Sequence, residues 1–334
     1  MVYRRAEVFS GGGGKGFYYL GHMRAKRDLK LTDRDLGDVS WKLGVSVGGY
    51  AAAASSLGLS PEEAGSFIEA KMNIIKKAFR PDYSLIAHYV CRSIGEFIAR
   101  KNHSGENGNH DYSNDEISRV GFFSSERLER IARELVGEKK FKDLPDLNLL
   151  VTEWGSFQSI LLNSETCPDA PVYKGLAATS SYDFVSPVII DVNGKKKICA
   201  DGGMSNNMPL NLALSVGSIN EIVCVDLLHA SSLNKVPFTL NPLKNFTLEK
   251  MFSGVQRTRG LFEFGLGLDY DEVVKRKMIK IERDGAVKKV LYLTPNIHYS
   301  RTFHADTENF QELAEMGYKE SLEILAEFEK FKAA

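Results

Sequence analysis

A chain of 334 residues with 43% apolar and 26% charged residues has an ordinary globular composition and the length to bury a sizeable core. Lysine plus arginine equals aspartate plus glutamate at 43 each, so no global field draws it to nucleic acid or an acidic membrane, and any membrane contact must come from a local patch. Met1 to Phe9 runs into glycines rather than an apolar signal-peptide core, and the longest weakly polar stretch, Gly44 to Leu59, is too short to span a bilayer.

The first element expected is a strand over Ala6–Ser10, followed by the glycine loop Gly11-Gly12-Gly13-Gly14-Lys15-Gly16 and a helix to about Leu29. A row of backbone N–H groups without Cβ atoms, at the start of a helix, is built to hold an anion. A nucleoside triphosphate fits poorly, because Phe17 and Tyr18 follow where a P-loop needs Lys and Ser or Thr. A dinucleotide pyrophosphate is compatible with Gly11, Gly13 and Gly16, with Asp33 or Asp35 as ribose ligand, although both precede the next strand instead of ending it. A transient oxyanion formed during acyl transfer is the third candidate.

Trp41–Val45 reads as a second strand and Val47–Leu57 as a small-residue helix, which makes a parallel β-α-β start. Between them lies Gly44-Val-Ser46-Val-Gly48, a G-x-S-x-G in the strand–turn–helix setting of a nucleophile elbow. The glycines let the chain turn sharply and leave Ser46 at the C-terminal edge of the sheet, at the positive end of a helix.

Pro61-Glu-Glu opens a further helix to about Phe79, and Asn102–Asp115 is a polar loop. Ser125–Val136 has helical spacing; Leu147–Thr152, Ser159–Leu162, Val185–Ile190, Lys197–Ala200, Glu221–Leu227 and Lys289–Leu293 read as strands, several apolar throughout; Thr307–Phe331 is a long amphipathic helix. No repeat or linker divides the chain, so a single domain over 1–334 is expected. Cys91, Cys167, Cys199 and Cys224 form no C-x-x-C pair, which points to free thiols, a reducing compartment and no zinc site.

The third chemical signal is Asp201-Gly202-Gly203 at the end of a short strand, followed by Met-Ser-Asn-Asn207-Met-Pro209. Alone it is a turn. Together the three motifs, Gly11–Gly16, Gly44–Gly48 and Asp201–Gly203, resemble in order and context those of the patatin-like phospholipase family. Softer likenesses are Gly121-Phe-Phe-Ser-Ser-Glu, Ala177-Ala-Thr-Ser with Pro187, Asn207-Met-Pro and Met316-Gly-Tyr. The resemblance covers most of the chain except about 228–281.

It implies a three-layer α/β/α fold with a mostly parallel central sheet, and a lipid acyl hydrolase of phospholipase A or lysophospholipase type. In that reading Ser46 is the nucleophile, Asp201 its base, and the backbone of Gly11, Gly12, Gly13 and Gly14 the oxyanion hole. Gly16, Gly44, Gly48, Gly202 and Gly203 support the turns, and Lys15 either buttresses the loop or is a solvated surface lysine. No metal ion or organic cofactor is implied. The expected partner is membrane or micellar lipid, not nucleic acid; a protein or membrane activator leaves no mark in the chain. The expected location is cytoplasmic or peripheral to a membrane, with export by a route other than a signal peptide left open.

Three competing readings stand beside it, one of them a catalytically dead binding module that retains the fold and leaves Ser46 unreactive to a fluorophosphonate. An α/β-hydrolase triad would need a histidine after Asp201, for which His229, His298 and His304 qualify by order, although no H-G-G-G-type element is present. A nucleotide-binding protein would use the 11–16 loop and leave Ser46 and Asp201 idle. Within 228–281, the apolar stretches Phe246–Phe252 and Leu261–Leu268 are candidates for a lid over an acyl pocket or a segment that dips into lipid.

Overall fold

The computed structural model describes residues 3–78, 125–182, 185, 187–227, 277–283, 285–297, 301 and 306–333. The polar loop at 102–115, the apolar stretches at 246–252 and 261–268, Cys91, and His229, His298 and His304 lie outside them.

Among the described residues, nine strands form one mixed sheet: β1 (Arg5–Phe9), β2 (Trp41–Gly44), β3 (Leu147–Glu153), β4 (Ser159–Leu162), β5 (Val188–Val192), β6 (Lys195–Asp201), β7 (Glu221–Val225), β8 (Met278–Arg283) and β9 (Ala286–Leu293). Their order is β5-β6-β3-β2-β1-β7-β9-β8, with β4 also on β3. The central run β3-β2-β1-β7-β9 is parallel. The flanking pairs are antiparallel.

The central strands are apolar throughout because both faces are covered. Phe9, Leu149, Val151 and Leu293 enter one core, while Ala6, Val8, Leu43, Leu150 and Tyr292 enter the other. The first core is closed by α1 (Tyr18–Asp28), α3 (Val47–Ser56), α5 (Glu126–Val136), α6 (Val172–Thr179) and α8 (Thr307–Ala333). The second is closed by α7 (Leu210–Ser215), through Leu210, Ala213 and Leu214. The short α2 (Asp33–Leu36) and the long α4 (Pro61–Ala78) complete the described helices. The layers are therefore α/β/α around a mostly parallel sheet.

Most expected elements appear within a few residues of where their periodicity put them. Three differ. The strand expected at Val185–Ile190 is shifted to Val188–Val192, where it pairs with β6 across the Asn193-Gly194 turn. The helix expected after the glycine loop starts as a 3-10 turn over Gly13–Phe17 before becoming α-helical at Tyr18. Residues 278–281, grouped with the unmatched 228–281 segment, belong to β8 and zip along β9 at the sheet edge. Met-Ile-Lys-Ile alternates as an edge strand does, with a partner only sheet topology supplies.

Candidate active site

The strand registers set the site. Phe9 of β1 pairs with Gly44 of β2 and, on its other side, with Val225 of β7. Two residues further on, Gly11, Ser46 and Leu227 therefore emerge abreast at the C-terminal edge of the sheet. Gly44 is in turn opposite Leu149 of β3. Because β4 takes the far side of β3 over Leu149–Thr152, β6 must share the near side with β2, end to end, and Asp201 sits opposite Val151. Val151 is two residues beyond Leu149, so Asp201 arrives level with Ser46.

Close approaches bear this out. A Cβ on Gly11 would lie 3.0 Å from Ser46 Cβ and 2.5 Å from Asn207 Oδ1. A Cβ on Gly203 would lie 2.9 Å from the same Asn207 oxygen and 3.0 Å from Asp201 Oδ1. Asn207 also donates from Nδ2 to Gly11 O at 3.4 Å. The glycine loop and the Asp201 turn, almost two hundred residues apart in sequence, thus meet on one buried asparagine, and Ser46 abuts the glycine loop at Gly11.

Ser46 has φ 53° and ψ −128°, a conformation that non-glycine residues rarely adopt. Holding it costs about 1–3 kcal/mol, which the surroundings must offset. They do so from both sides of the turn. Val45 N–H donates to Phe9 O, Gly48 N–H to Val45 O and Gly49 N–H to Ser46 O. Side chains on Gly44 and Gly48 would overlap backbone, the former that of Gly48 and Gly49, the latter the carbonyls of Phe9 and Ser10. Ser46 N–H donates to Thr179 Oγ1 at 3.0 Å, and that hydroxyl donates to Leu150 O at 2.5 Å. Thr179, fully buried at the end of α6, ties the elbow to β3.

The glycine loop follows β1 at this edge. Lys15 N–H bonds to Gly12 O and closes the 3-10 turn, so the N–H groups of Gly12, Gly13 and Gly14 precede the first intrahelical donor. Gly13 has φ 55°. Gly16 has no room for a side chain against Val47, which presses the loop onto the elbow.

Lys15 is fully buried, which removes the surface-lysine option. Its Nζ donates to Leu227 O at 3.1 Å. Burial pushes its pKa down to about 8, opposed by the Asp226 carboxylate. Ser10 Oγ accepts from Leu227 N–H at 2.8 Å, so both backbone groups of Leu227 are tied to the loop. Nothing in the local sequence pattern signals this clamp, because Leu227 is 212 residues from Lys15.

Asp201 is buried, and its Oδ1 accepts from Gly203 N–H at 2.7 Å. Gly202 has no room for a side chain against Leu150 O, and Thr152 Oγ1 donates to Asp201 O at 2.8 Å. The aspartate is thus held by its own turn and by β3.

The rival readings gain no support from the described residues. Asp33 binds Ser40 and Lys42 at the N-terminal end of β2, and Asp35 caps α2 through Thr32, so both are at the opposite end of the sheet from the glycine loop. His22 is the one histidine among the described residues; it is fully buried on α1, with Nδ1 3.0 Å from Ser321 Oγ of α8. No cluster able to hold a metal ion occurs among the described residues. Cys167 and Cys199 are free thiols, and both they and Cys224 are buried. No described helix is long and apolar enough to cross a membrane.

No curated protein matches the chain. Among solved structures, VipD from Legionella pneumophila is similar at 16% identity and TM-score 0.46, covering 98% of this chain and 67% of its own. Human GIVD cytosolic phospholipase A2 in complex with methyl gamma-linolenyl fluorophosphonate is similar at 10% identity and TM-score 0.48, over 99% of this chain and 59% of its own. A chain of the SpcU–ExoU complex from the type III secretion system of Pseudomonas aeruginosa matches at 15% identity and TM-score 0.45, over 98% of this chain and 52% of that one. This chain thus spans between half and two thirds of the length of these relatives. Residues 8–214, more than half of the chain and including all three motifs, match the family model for patatin-like phospholipases, and the chain belongs to the patatin-like phospholipase family.

Proposed function

We propose that the protein cleaves fatty acyl esters of lipids, as a phospholipase A or lysophospholipase, through a Ser46–Asp201 dyad and an acyl-enzyme intermediate. The observation that carries this reading is the shared level of Ser46, Asp201 and the glycine loop at the C-terminal sheet edge, with Ser46 in a strained, positive-φ turn. Asp201 takes the proton of Ser46 Oγ as that oxygen attacks the ester carbonyl carbon. The N–H groups of Gly12, Gly13 and Gly14 receive the oxyanion, with Gly11 shaping the approach. Collapse of the tetrahedral species breaks the ester C–O bond, and the leaving alcohol takes the proton from Asp201. Water then attacks the acyl-enzyme with Asp201 as base, releasing the fatty acid and returning the proton to Ser46. Neither metal nor organic cofactor enters any step.

Labelling with a fluorophosphonate probe, paired with ester hydrolysis, tests the reading. Both are expected in the wild type, to be abolished in Ser46→Ala and to fall by roughly a thousandfold or more in Asp201→Asn, by analogy with other nucleophile–base pairs. His229→Ala, His298→Ala and His304→Ala are expected to keep both. An essential histidine would replace the dyad by a triad, and a wild type that never labels, with or without lipid vesicles, would sink the hydrolase.

A further inference from the structure

The five large apolar side chains exposed among the described residues are Leu36, Val39, Trp154, Phe157 and Val287. Leu36, Val39 and Val287 lie near the N-terminal ends of β2 and β9. Trp154 and Phe157, 40% and 60% exposed, are both in the turn joining β3 to β4, at the same sheet edge as Ser46 and Asp201. Asp201 is opposite Val151, and Trp154 lies three residues beyond it, so the turn projects about 10 Å outward from the level of the site at about 3.3 Å per residue.

The turn is stiff. Glu153 N–H donates to Gln158 O at 2.8 Å, Phe157 N–H to Glu153 O at 3.0 Å and Ser156 Oγ to Glu153 Oε2 at 2.6 Å. Trp154 N–H donates to Ile198 O of β6 at 2.8 Å, fastening the turn to the next hairpin. Gly155 has φ 96° and Phe157 φ 56°, so a bulky aromatic is held out to solvent by a backbone conformation that suits it poorly. Neither exposure nor conformation benefits the isolated fold.

Beside this turn, the β5–β6 hairpin continues outward and carries exposed Lys195 and Lys196. Lys197 is paired with Glu153 at 2.6 Å, and Asp191 lies opposite Lys196, which leaves the tip with net positive charge. Exposed aromatic rings with lysines next to them match the boundary between acyl chains and anionic headgroups.

We propose that the β3–β4 turn, through Trp154 and Phe157, and the neighbouring Lys195 and Lys196 form a docking face that seats the sheet edge bearing Ser46 on an anionic lipid surface. This deepens the lipid hydrolase reading and rests on it for the location of the reaction, but its test reads binding separately from catalysis.

The chain has two tryptophans, and Trp41 is buried, so fluorescence reports the environment of Trp154. Ser46→Ala protein is titrated with vesicles of phosphatidylcholine, with and without phosphatidylserine. A blue shift on binding is expected, and affinity, read by co-sedimentation with the vesicles, is expected to fall by roughly tenfold or more when Trp154→Gln and Phe157→Asn are added. Asparagine tolerates the positive φ at 157, which keeps the turn intact. Lys195→Glu with Lys196→Glu is expected to weaken binding only to vesicles containing phosphatidylserine. In the Ser46-containing protein, the aromatic double variant is expected to hydrolyse a soluble monomeric ester like the wild type but to lose vesicle hydrolysis. Unchanged vesicle affinity and no blue shift overturn the docking face, whatever happens to the monomeric ester. A wild type inert to the monomeric ester and to fluorophosphonate, yet showing the blue shift, sinks the hydrolase reading and leaves the docking face standing.

Discussion

Thr179 illustrates how much of the site depends on residues that do no chemistry. Its hydroxyl accepts the N–H of Ser46 and donates to Leu150 O, so Thr179→Val leaves a part-buried donor and a buried carbonyl without partners at nearly constant shape. The loss, about 1–3 kcal/mol, falls on the strained turn that aims Ser46. Fluorophosphonate labelling and kcat are expected to fall roughly tenfold to a hundredfold with KM little changed, and Thr179→Ser to restore them. A variant that loses only stability would reduce Thr179 to a core residue.

At the same scale, His22 predicts an acid limit to stability. Burial, helped by Lys26 and opposed by Glu7, pushes its pKa down to about 4 from an ordinary 6.5. Between those values the unfolded chain binds the proton and the folded one does not, so stability is lost as pH falls from 6.5 toward 4, by about 3 kcal/mol in full. His22→Gln, which offers Ser321 a hydrogen bond without titrating, is expected to flatten this part of the profile in urea unfolding at pH 4.5 and 7. An unchanged slope would assign the acid sensitivity to other groups.

Among elements, α1 and α8 cross in close contact in the first core. A Cβ on Gly21 would overlap Ala314 O and Tyr318 N, and one on Gly317 would overlap Tyr18 O, so each helix backbone seats against the other through a glycine. Arg24 stacks on Tyr318 at 4.6 Å, and Tyr318 OH donates to Asp28 at 2.9 Å along the same seam. Gly317→Ala must push the helices apart, and a stability loss of about 1–3 kcal/mol is expected in urea unfolding. Loss below about 0.5 kcal/mol would mean that the helices shift freely. Gly317 is legible in the sequence as part of Met316-Gly-Tyr, a family likeness, but its reason, a partner glycine position 296 residues earlier, is not.

For the whole molecule, the family match ends at residue 214, before the partner of β1 on its second side. Beyond it, β7, β9 and β8 complete the sheet, and α8 buries Phe310, Leu313, Leu325 and Phe328. A protein cut after residue 214 would expose the edge of β1, otherwise in mid-sheet, together with the face of α1 that meets α8. It is expected to aggregate and fail to label; a soluble, monomeric, labelling fragment by size exclusion would show that the matched region folds alone.

The amino-acid sequence by itself determined most of the strands and helices, since continuous apolar runs and helical spacing survive whatever packs against them. It also determined the order of the three motifs and the tight turns at Gly44–Gly48 and Asp201–Gly203, because glycine at a sharp turn is a local steric requirement. It left Lys15 undecided between a surface and a buttress, and it held no sign of the Leu227 clamp, of Thr179 behind Ser46 or of Asn207 between two loops. Those depend on which strand lies beside which. That β6 follows β2 along one side of β3, bringing Asp201 level with Ser46 some 155 residues away, comes from two separate pairings with the same strand. Only the folded sheet decides it, because strand register is set by long-range hydrogen bonds and by which face is buried, neither of which a local pattern encodes.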